Sequence, residues 1–81
     1  MHLTIITPDK QVFSGEVEAA TFPGSDGSFQ VLNNHAPLVS SLGKGDIVYR
    51  GSGGENSITV EGGVVEVLKN NITVLAEKII A

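Results

Sequence analysis

Few side chains in this sequence could carry catalysis, and they are scattered along the chain. The two histidines, His2 and His35, are far apart in sequence, and there is no cysteine to act as nucleophile or metal ligand. A metal site needs three or four ligands, and the sequence does not bring that many together. His35 lies in a loop rich in hydrogen-bonding residues, which favours a structural histidine bonded to nearby backbone or a residue at an interface. We predict no catalytic residue and no metal site.

Two glycine-containing segments have some features of ligand sites. Ser25-Asp26-Gly27 is too short for a calcium loop, which spaces several acidic ligands over about twelve residues. The segment 51–54, Gly-Ser-Gly-Gly, is not followed by the Gly-Lys-Ser/Thr and the helix that a phosphate-binding loop needs. Both segments are therefore interpreted as turns, and we predict no cofactor.

Composition limits the class of protein. The 81 residues include five Lys and Arg against nine Asp and Glu, giving a net charge of -4. This acidic balance argues against binding to nucleic acid or to an anionic membrane surface. No stretch approaches the roughly 20 apolar residues of a membrane span, so we predict no direct membrane insertion. The absence of cysteine and of a visible signal peptide indicates a reducing compartment. We predict one domain over residues 1–81.

The elements that hold these residues are predicted to be strands. Apolar residues alternate with polar ones in most segments, as in Leu3 and Ile5 or Ile47 and Tyr49. Turns are predicted at 7–10, 23–27, 51–56 and 69–71, and breaks at 43–45 and 62–63. This pattern predicts an all-β fold, a sandwich or barrel of eight to ten short strands.

Two segments are ambiguous. The apolar phase slips within 12–22, because Val17 and Ala19 share one face while Ala20 and Phe22 share the other, so we expect a β-bulge or a corner near Ala19. Apolar residues of 64–79 would also fit one face of a helix. Strands are favoured there because Val, Ile and Thr dominate and because Asn70 would fall in the middle of the helix.

Five segments, in this order, resemble the epsilon subunit of F-type ATP synthases. They are Val-Phe-Ser-Gly-Glu-Val at 12–17, Pro-Gly-Ser-Asp-Gly-Ser-Phe at 23–29, His-Ala-Pro-Leu at 35–38, Gly-Gly-Val-Val-Glu-Val at 62–67 and Asn-Ile-Thr-Val-Leu-Ala at 71–76. The resemblance implies a flattened β-sandwich of about ten short strands at the foot of the central stalk. It also implies a non-catalytic rotor part that couples the ion-driven c-ring to the gamma subunit, on the cytoplasmic face of the bacterial inner membrane.

The resemblance also implies contact residues. The loops that match gamma-side segments contain Thr7, Pro8, His35, Ala36, Pro37 and Leu38, and the loop that matches the c-ring segment contains Asp26, Gly27 and Ser28. Family members often carry an acidic residue where Ser28 stands. The gamma-facing surface is expected to be apolar, with Leu38 as a candidate anchor.

Many family members continue into two C-terminal helices that inhibit ATP hydrolysis. This sequence ends at Ala81, so we expect the chain as given to be unable to inhibit by that route, with 77–81 at most beginning the connection. The alternative is a free-standing β-sandwich module that binds a ligand or a peptide. Such modules display aromatic residues, and this chain has three Phe and one Tyr, several in phase with the presumed core.

Overall fold

Seven β-strands make up the protein in a computed structural model, which describes residues 1–80. The strands are β1 (His2–Ile6), β2 (Gln11–Glu16), β3 (Ala19–Gly24), β4 (Gly27–Leu32), β5 (Leu38–Gly51), β6 (Gly54–Leu68) and β7 (Asn71–Ala76). No helix occurs within residues 1–80. The prediction of an all-β fold is confirmed, and strands rather than a helix occupy 64–76.

The strands form one sheet that folds over on itself into two layers. The order is β2-β1-β7-β6-β5-β3-β4, and only β1 and β7 are parallel neighbours. The long strands β5 and β6 belong to both layers. The first layer holds β2, β1, β7 and the paired ends of β6 and β5 at 63–68 and 38–42, and the second holds their other halves with β3 and β4. Phe13 and Tyr49 come from opposite layers, and their ring centroids are 4.4 Å apart.

The two predicted breaks at 43–45 and 62–63 are wrong, because β5 and β6 run through them. The strands are 14 and 15 residues long and keep the same register on both sides of the bend, with Leu42 opposite Gly63 and Lys44 opposite Glu61. Gly62 and Gly63 have φ of 81° and 142°, which only glycine adopts without strain. The glycines thus bend the paired strands without ending them, so the count is seven rather than about ten.

The slip of phase within 12–22 marks a change of layer. β2 ends at Glu16 and β3 begins at Ala19, and these strands lie near opposite edges of the sheet. The Val17 N–H donates to the Met1 carbonyl at 2.9 Å, and the Glu18 N–H donates to the Arg50 carbonyl at 2.7 Å. The irregularity near Ala19 is therefore a corner at which the chain crosses from the first layer to the second.

The core contains the inward side chains of both layers, as the alternation predicted. Leu3, Ile5, Phe22 and Ile47 have no exposed surface. The rest of the buried cluster includes Val31, Tyr49, Val60, Val65, Val67, Ile72, Val74 and Ala76. A close-packed interior of this kind resists deformation, so the sandwich is a stiff body.

The predicted tight turn before β7 is confirmed, and the segment after β7 stays on the sandwich. Lys69 and Asn70 have φ of 50° and 62°, as a tight hairpin turn requires. Residues 77–80 turn back along β6, where Ile79 forms a bridge with Val60. The predicted start of a connection at 77–81 therefore packs against β6 as far as residue 80, and Ala81 lies outside the described residues.

Candidate docking surfaces

Part of the outer face of the first layer is apolar, and polar side chains such as Thr4 and Thr73 lie on the rest of it. Five outward side chains from four strands define this apolar outer face: Ile6, Val39, Val64, Leu68 and Leu75. Val64 lies directly opposite Leu75, and Leu75 lies opposite Ile6, so these three form a row across β6, β7 and β1. Val39 is 71% exposed, more than Leu68 or Leu75. Grouped exposed apolar side chains on a small protein are typical of an interaction surface.

The Thr7-Pro8 turn borders one end of this face. A groove of about 330 Å³ is lined mainly by apolar atoms of Ile6, Thr7, Pro8 and Leu75, together with the last residue of β7 and the residue that follows it. The Thr7 N–H donates to the Lys10 carbonyl at 2.9 Å, which holds the turn. Two of the predicted gamma-side residues are thereby placed beside the apolar outer face.

The loop that contains His35 lies at the other end of the same face. Ala36 and Pro37 are exposed and line a groove of about 530 Å³ with Leu68 and the β6–β7 turn. His35 Nδ1 is 2.7 Å from its neighbour's carbonyl oxygen, that of Ala36, which confirms the interpretation of a histidine bonded to nearby backbone. Leu38 is half-buried and packs against the core. Its exposed neighbour Val39 is the better candidate anchor.

The predicted c-ring residues lie elsewhere, at the tip of the β3–β4 hairpin. Asp26, Gly27 and Ser28 are exposed. The tip is held near the bend of β5, because the Ser25 N–H donates to the Ser41 carbonyl at 3.0 Å. The structure therefore separates the nine predicted contact residues into three places: the two ends of the apolar outer face and this hairpin.

The outer face of the second layer is more polar. The Thr59 hydroxyl donates a hydrogen bond to the Asp46 carboxylate, and Arg50 lies 3.9 Å from Glu18. Exposed Gln30 lies on the neighbouring part of the same layer. Because polar groups on this side are well solvated, it gains less from being covered than the apolar outer face does. The two sides of the sandwich therefore differ in the partner surface that each favours.

A serine, a histidine and a carboxylate form a hydrogen-bonded chain on β1 and β2. His2 Nε2 is 2.9 Å from Ser14 Oγ, and His2 Nδ1 is 2.8 Å from Glu16 Oε2. The sequence analysis missed this cluster because cross-strand pairing creates it. The hydrogen bond with His2 lowers the pKa of Glu16 below its ordinary value of 4.5. The Glu16 side chain is 75% exposed and that of His2 41%. Catalytic groups act in a water-excluded site, so we interpret the cluster as hydrogen bonds that link the two strands.

Sequence analysis also missed most of the apolar outer face. A signal was present, since Val64 precedes buried Val65 and Leu75 follows buried Val74, so that both faces of these strands carry apolar side chains. Val64, Val65 and Leu75 also belong to the apolar residues of 64–79 that would fit one face of a helix. A strand with two apolar faces in a two-layer fold leaves one of them uncovered, and that uncovered face is the candidate interaction surface.

Within residues 1–80, no three His, Cys, Asp or Glu side chains are placed to hold a metal ion, and no helix could cross a membrane. The fold defines a small β-sandwich protein, and its exposed apolar face is a candidate docking surface. The model of the family described as "ATP synthase, Delta/Epsilon chain, beta-sandwich domain" matches residues 1–81. The chain belongs to this family, which confirms the resemblance and the sandwich fold.

Curated relatives of this chain carry the name ATP synthase epsilon chain. An ATP synthase epsilon chain of Nitratidesulfovibrio vulgaris (strain DP4) is 44% identical over 77 residues, which are 95% of this chain and 58% of the relative. One from Leptospira borgpetersenii is 40% identical over 77 residues, covering 95% of this chain and 61% of the relative. The chain thus spans about three fifths of these relatives' length.

Two cryo-EM structures show the same fold. A chain in the Euglena gracilis mitochondrial ATP synthase (OSCP/F1/c-ring) matches with a TM-score of 0.88 and 23% identity, covering 96% of this chain and 51% of that one. A chain in the central stalk/c-ring structure from Tetrahymena thermophila matches with a TM-score of 0.83 and 17% identity, covering 98% and 64%. An epsilon chain is an accessory, non-catalytic subunit of the ATP synthase complex.

Proposed function

We propose that this chain is the sandwich part of a rotor subunit that couples the c-ring to the gamma subunit during ATP synthesis. It would act on the cytoplasmic face of the bacterial inner membrane, as a peripheral part of the complex. The observation that carries the proposal is the apolar outer face, which is bordered at both ends by the predicted gamma-side loops. Family membership and the similarity to chains of ATP synthase structures support it.

Torque transmission needs a stiff body with two contacts that do not slip, and it needs no nucleophile. In this proposal the gamma subunit covers the apolar outer face together with Thr7-Pro8 and the loop at 35–38. The hairpin tip with Asp26, Gly27 and Ser28 rests on the c-ring. A stable protein–protein interface buries roughly 1,200–2,000 Å² in total, which a whole face with its flanking loops can supply.

Leu75 and Leu32 offer a matched test of the gamma contact. Both side chains are 51% exposed, but only Leu75 lies on the apolar outer face. We expect Leu75→Asp to weaken binding to purified gamma subunit by about 30-fold or more, because a carboxylate would enter a desolvated apolar contact. Leu32→Asp should bind as the unaltered chain does. Equal binding of both variants, with the fold verified by circular dichroism, would remove this face from the proposal.

The c-ring contact can be tested by cross-linking. The chain has no cysteine, so Ser28→Cys introduces a single reactive thiol. In the assembled complex we expect this thiol to cross-link to the c-ring. The control is Ser57→Cys on the outer face of the second layer, and its thiol should not cross-link to the c-ring. Failure of the Ser28→Cys variant to cross-link, in a complex shown to contain the chain, would contradict the proposed orientation.

A further inference from the structure

One charged side chain lies within the apolar outer face. Glu66 is exposed on β6, with Val64 and Leu68 two positions away along the same face. Across the sheet it lies opposite Val39 on β5 and Thr73 on β7. Directly opposed side chains on a sheet are about 5 Å apart, so these neighbours surround the carboxylate with mostly apolar atoms.

Within residues 1–80, Glu66 forms no ion pair. The ion pairs in this part of the chain join Glu16 to the N-terminus and to His2, and Glu18 to Arg50. None of the five Lys and Arg side chains is on the first-layer part of the strands, since they are on turns, on the segment after β7 or on the second-layer half of β5: Lys10, Lys44, Arg50, Lys69 and Lys78. The Glu66 side chain is exposed, so its carboxylate is open to water in the isolated chain.

Docking on this face would remove that water. A carboxylate that is desolvated without a partner costs more than its apolar neighbours gain from being covered. A basic side chain placed opposite Glu66 would offset the free-energy cost of desolvating the carboxylate, and it would fix the register of the two surfaces. We propose that the protein surface that docks on the apolar outer face is itself apolar and presents one Lys or Arg to Glu66. This inference rests on the proposed function, because it describes the partner of the same face.

A second copy of this chain does not fit that description. Two apolar outer faces brought together would add a second Glu66 and no Lys or Arg from the first-layer part of the strands. Each copy also carries a net charge of -4. Charge complementarity therefore favours a different protein with a basic group over self-association. In the proposed complex that protein is the gamma subunit, and Glu66 selects its register on the sandwich.

The experiment measures the affinity of the chain for purified gamma subunit at several salt concentrations. Glu66→Gln keeps the size of the side chain and removes the charge, and Glu66→Lys reverses it. Glu61→Gln is the matched control, because Glu61 is an exposed glutamate on the same strand but lies opposite Lys44 in the second layer. Far-UV circular dichroism verifies that each variant is folded, and sedimentation measures self-association.

We expect Glu66→Gln to bind about 30-fold more weakly, Glu66→Lys to lose measurable binding, and Glu61→Gln to bind as the unaltered chain does. The affinity of the unaltered chain should fall with salt more steeply than that of Glu66→Gln. Equal affinity of Glu66→Gln and the unaltered chain would overturn the inference, as would weaker binding with the same salt dependence, or self-association through this face. If the unaltered folded chain does not bind gamma at all, the proposed function fails first.

Discussion

The bend of the long strands depends on Gly63, and replacing it by alanine should be strongly destabilising. Gly63 has φ of 142°, and it lies opposite Ala76 on β7. A Cβ at this position would collide with the Leu75 carbonyl oxygen and lie 3.0 Å from the Ala76 Cα. Both are backbone atoms of a paired strand, so relief requires β7 to move away from β6.

The expected magnitude has two parts. A side chain held at such a φ costs about 1–3 kcal/mol in backbone strain. Moving β7 weakens ladder hydrogen bonds, each worth about 0.5–1.5 kcal/mol net. Gly63→Ala should therefore lower the free energy of unfolding by about 3 kcal/mol or more. The total free energy of unfolding of a domain is only about 5–15 kcal/mol, so this loss is a large fraction of it.

Two other glycines separate strain from collision. Gly27 has φ of 130°, but a Cβ added there would meet no atom within 4 Å, so Gly27→Ala should cost the strain alone, about 1–3 kcal/mol. Gly53 has neither problem, and Gly53→Ala should be neutral or stabilising by up to about 1 kcal/mol. Urea unfolding followed by circular dichroism gives the three values. If Gly63→Ala is no more destabilising than Gly27→Ala, the proposed collision with β7 is refuted.

Three further predictions concern the core and two titrating groups. Phe22→Ala should cost about 3–5 kcal/mol of unfolding free energy because Phe22 is fully buried, whereas Leu32→Ala at an exposed site should change it by less than about 0.5 kcal/mol in the same urea assay. Burial raises the pKa of Tyr49 above 10.0, so the free energy of unfolding should fall as pH rises from 10.0 through the pKa of the folded state. Phenolate absorbance measures the ionisation of this single tyrosine, and Tyr49→Phe should abolish this contribution to the pH dependence of stability. The pKa of Glu16 is lowered from 4.5, so its contribution to stability should be lost as pH falls from 4.5 through the folded pKa, and Glu16→Gln should flatten acid unfolding curves in that window.

Docking and stability are linked in this small domain. A chain of 81 residues buries a modest fraction of its unfolded surface, so its margin of stability is limited. A partner that binds only the folded state adds to that margin. A side chain of the apolar outer face such as Leu75 can therefore affect the stability of the assembled protein while contributing little to the isolated one.

The family resemblance indicates which segments make contacts, but it does not indicate which side chains within a segment point outward. Thr7-Pro8 and the loop at 35–38 border one surface, which no local pattern indicates. Residue type alone favours Leu38 as an anchor, but it packs against the core and Val39 is the exposed neighbour. Which of two adjacent apolar residues points outward depends on the pleat, and the pleat is set by pairing with β6.

Four properties could be predicted from the sequence: the strand periodicity, the tight turn at Lys69 and Asn70, the all-β class and the family. These properties are local, since the period of two and the φ preferences of turn residues act over a few neighbours. Three other properties follow from the folded arrangement: β5 and β6 bend without breaking, the chain changes layer near Ala19, and Glu66 lies within an apolar surface. Each of these depends on cross-strand contacts between residues far apart in the chain, and the free energy of those contacts has no signature in a single strand.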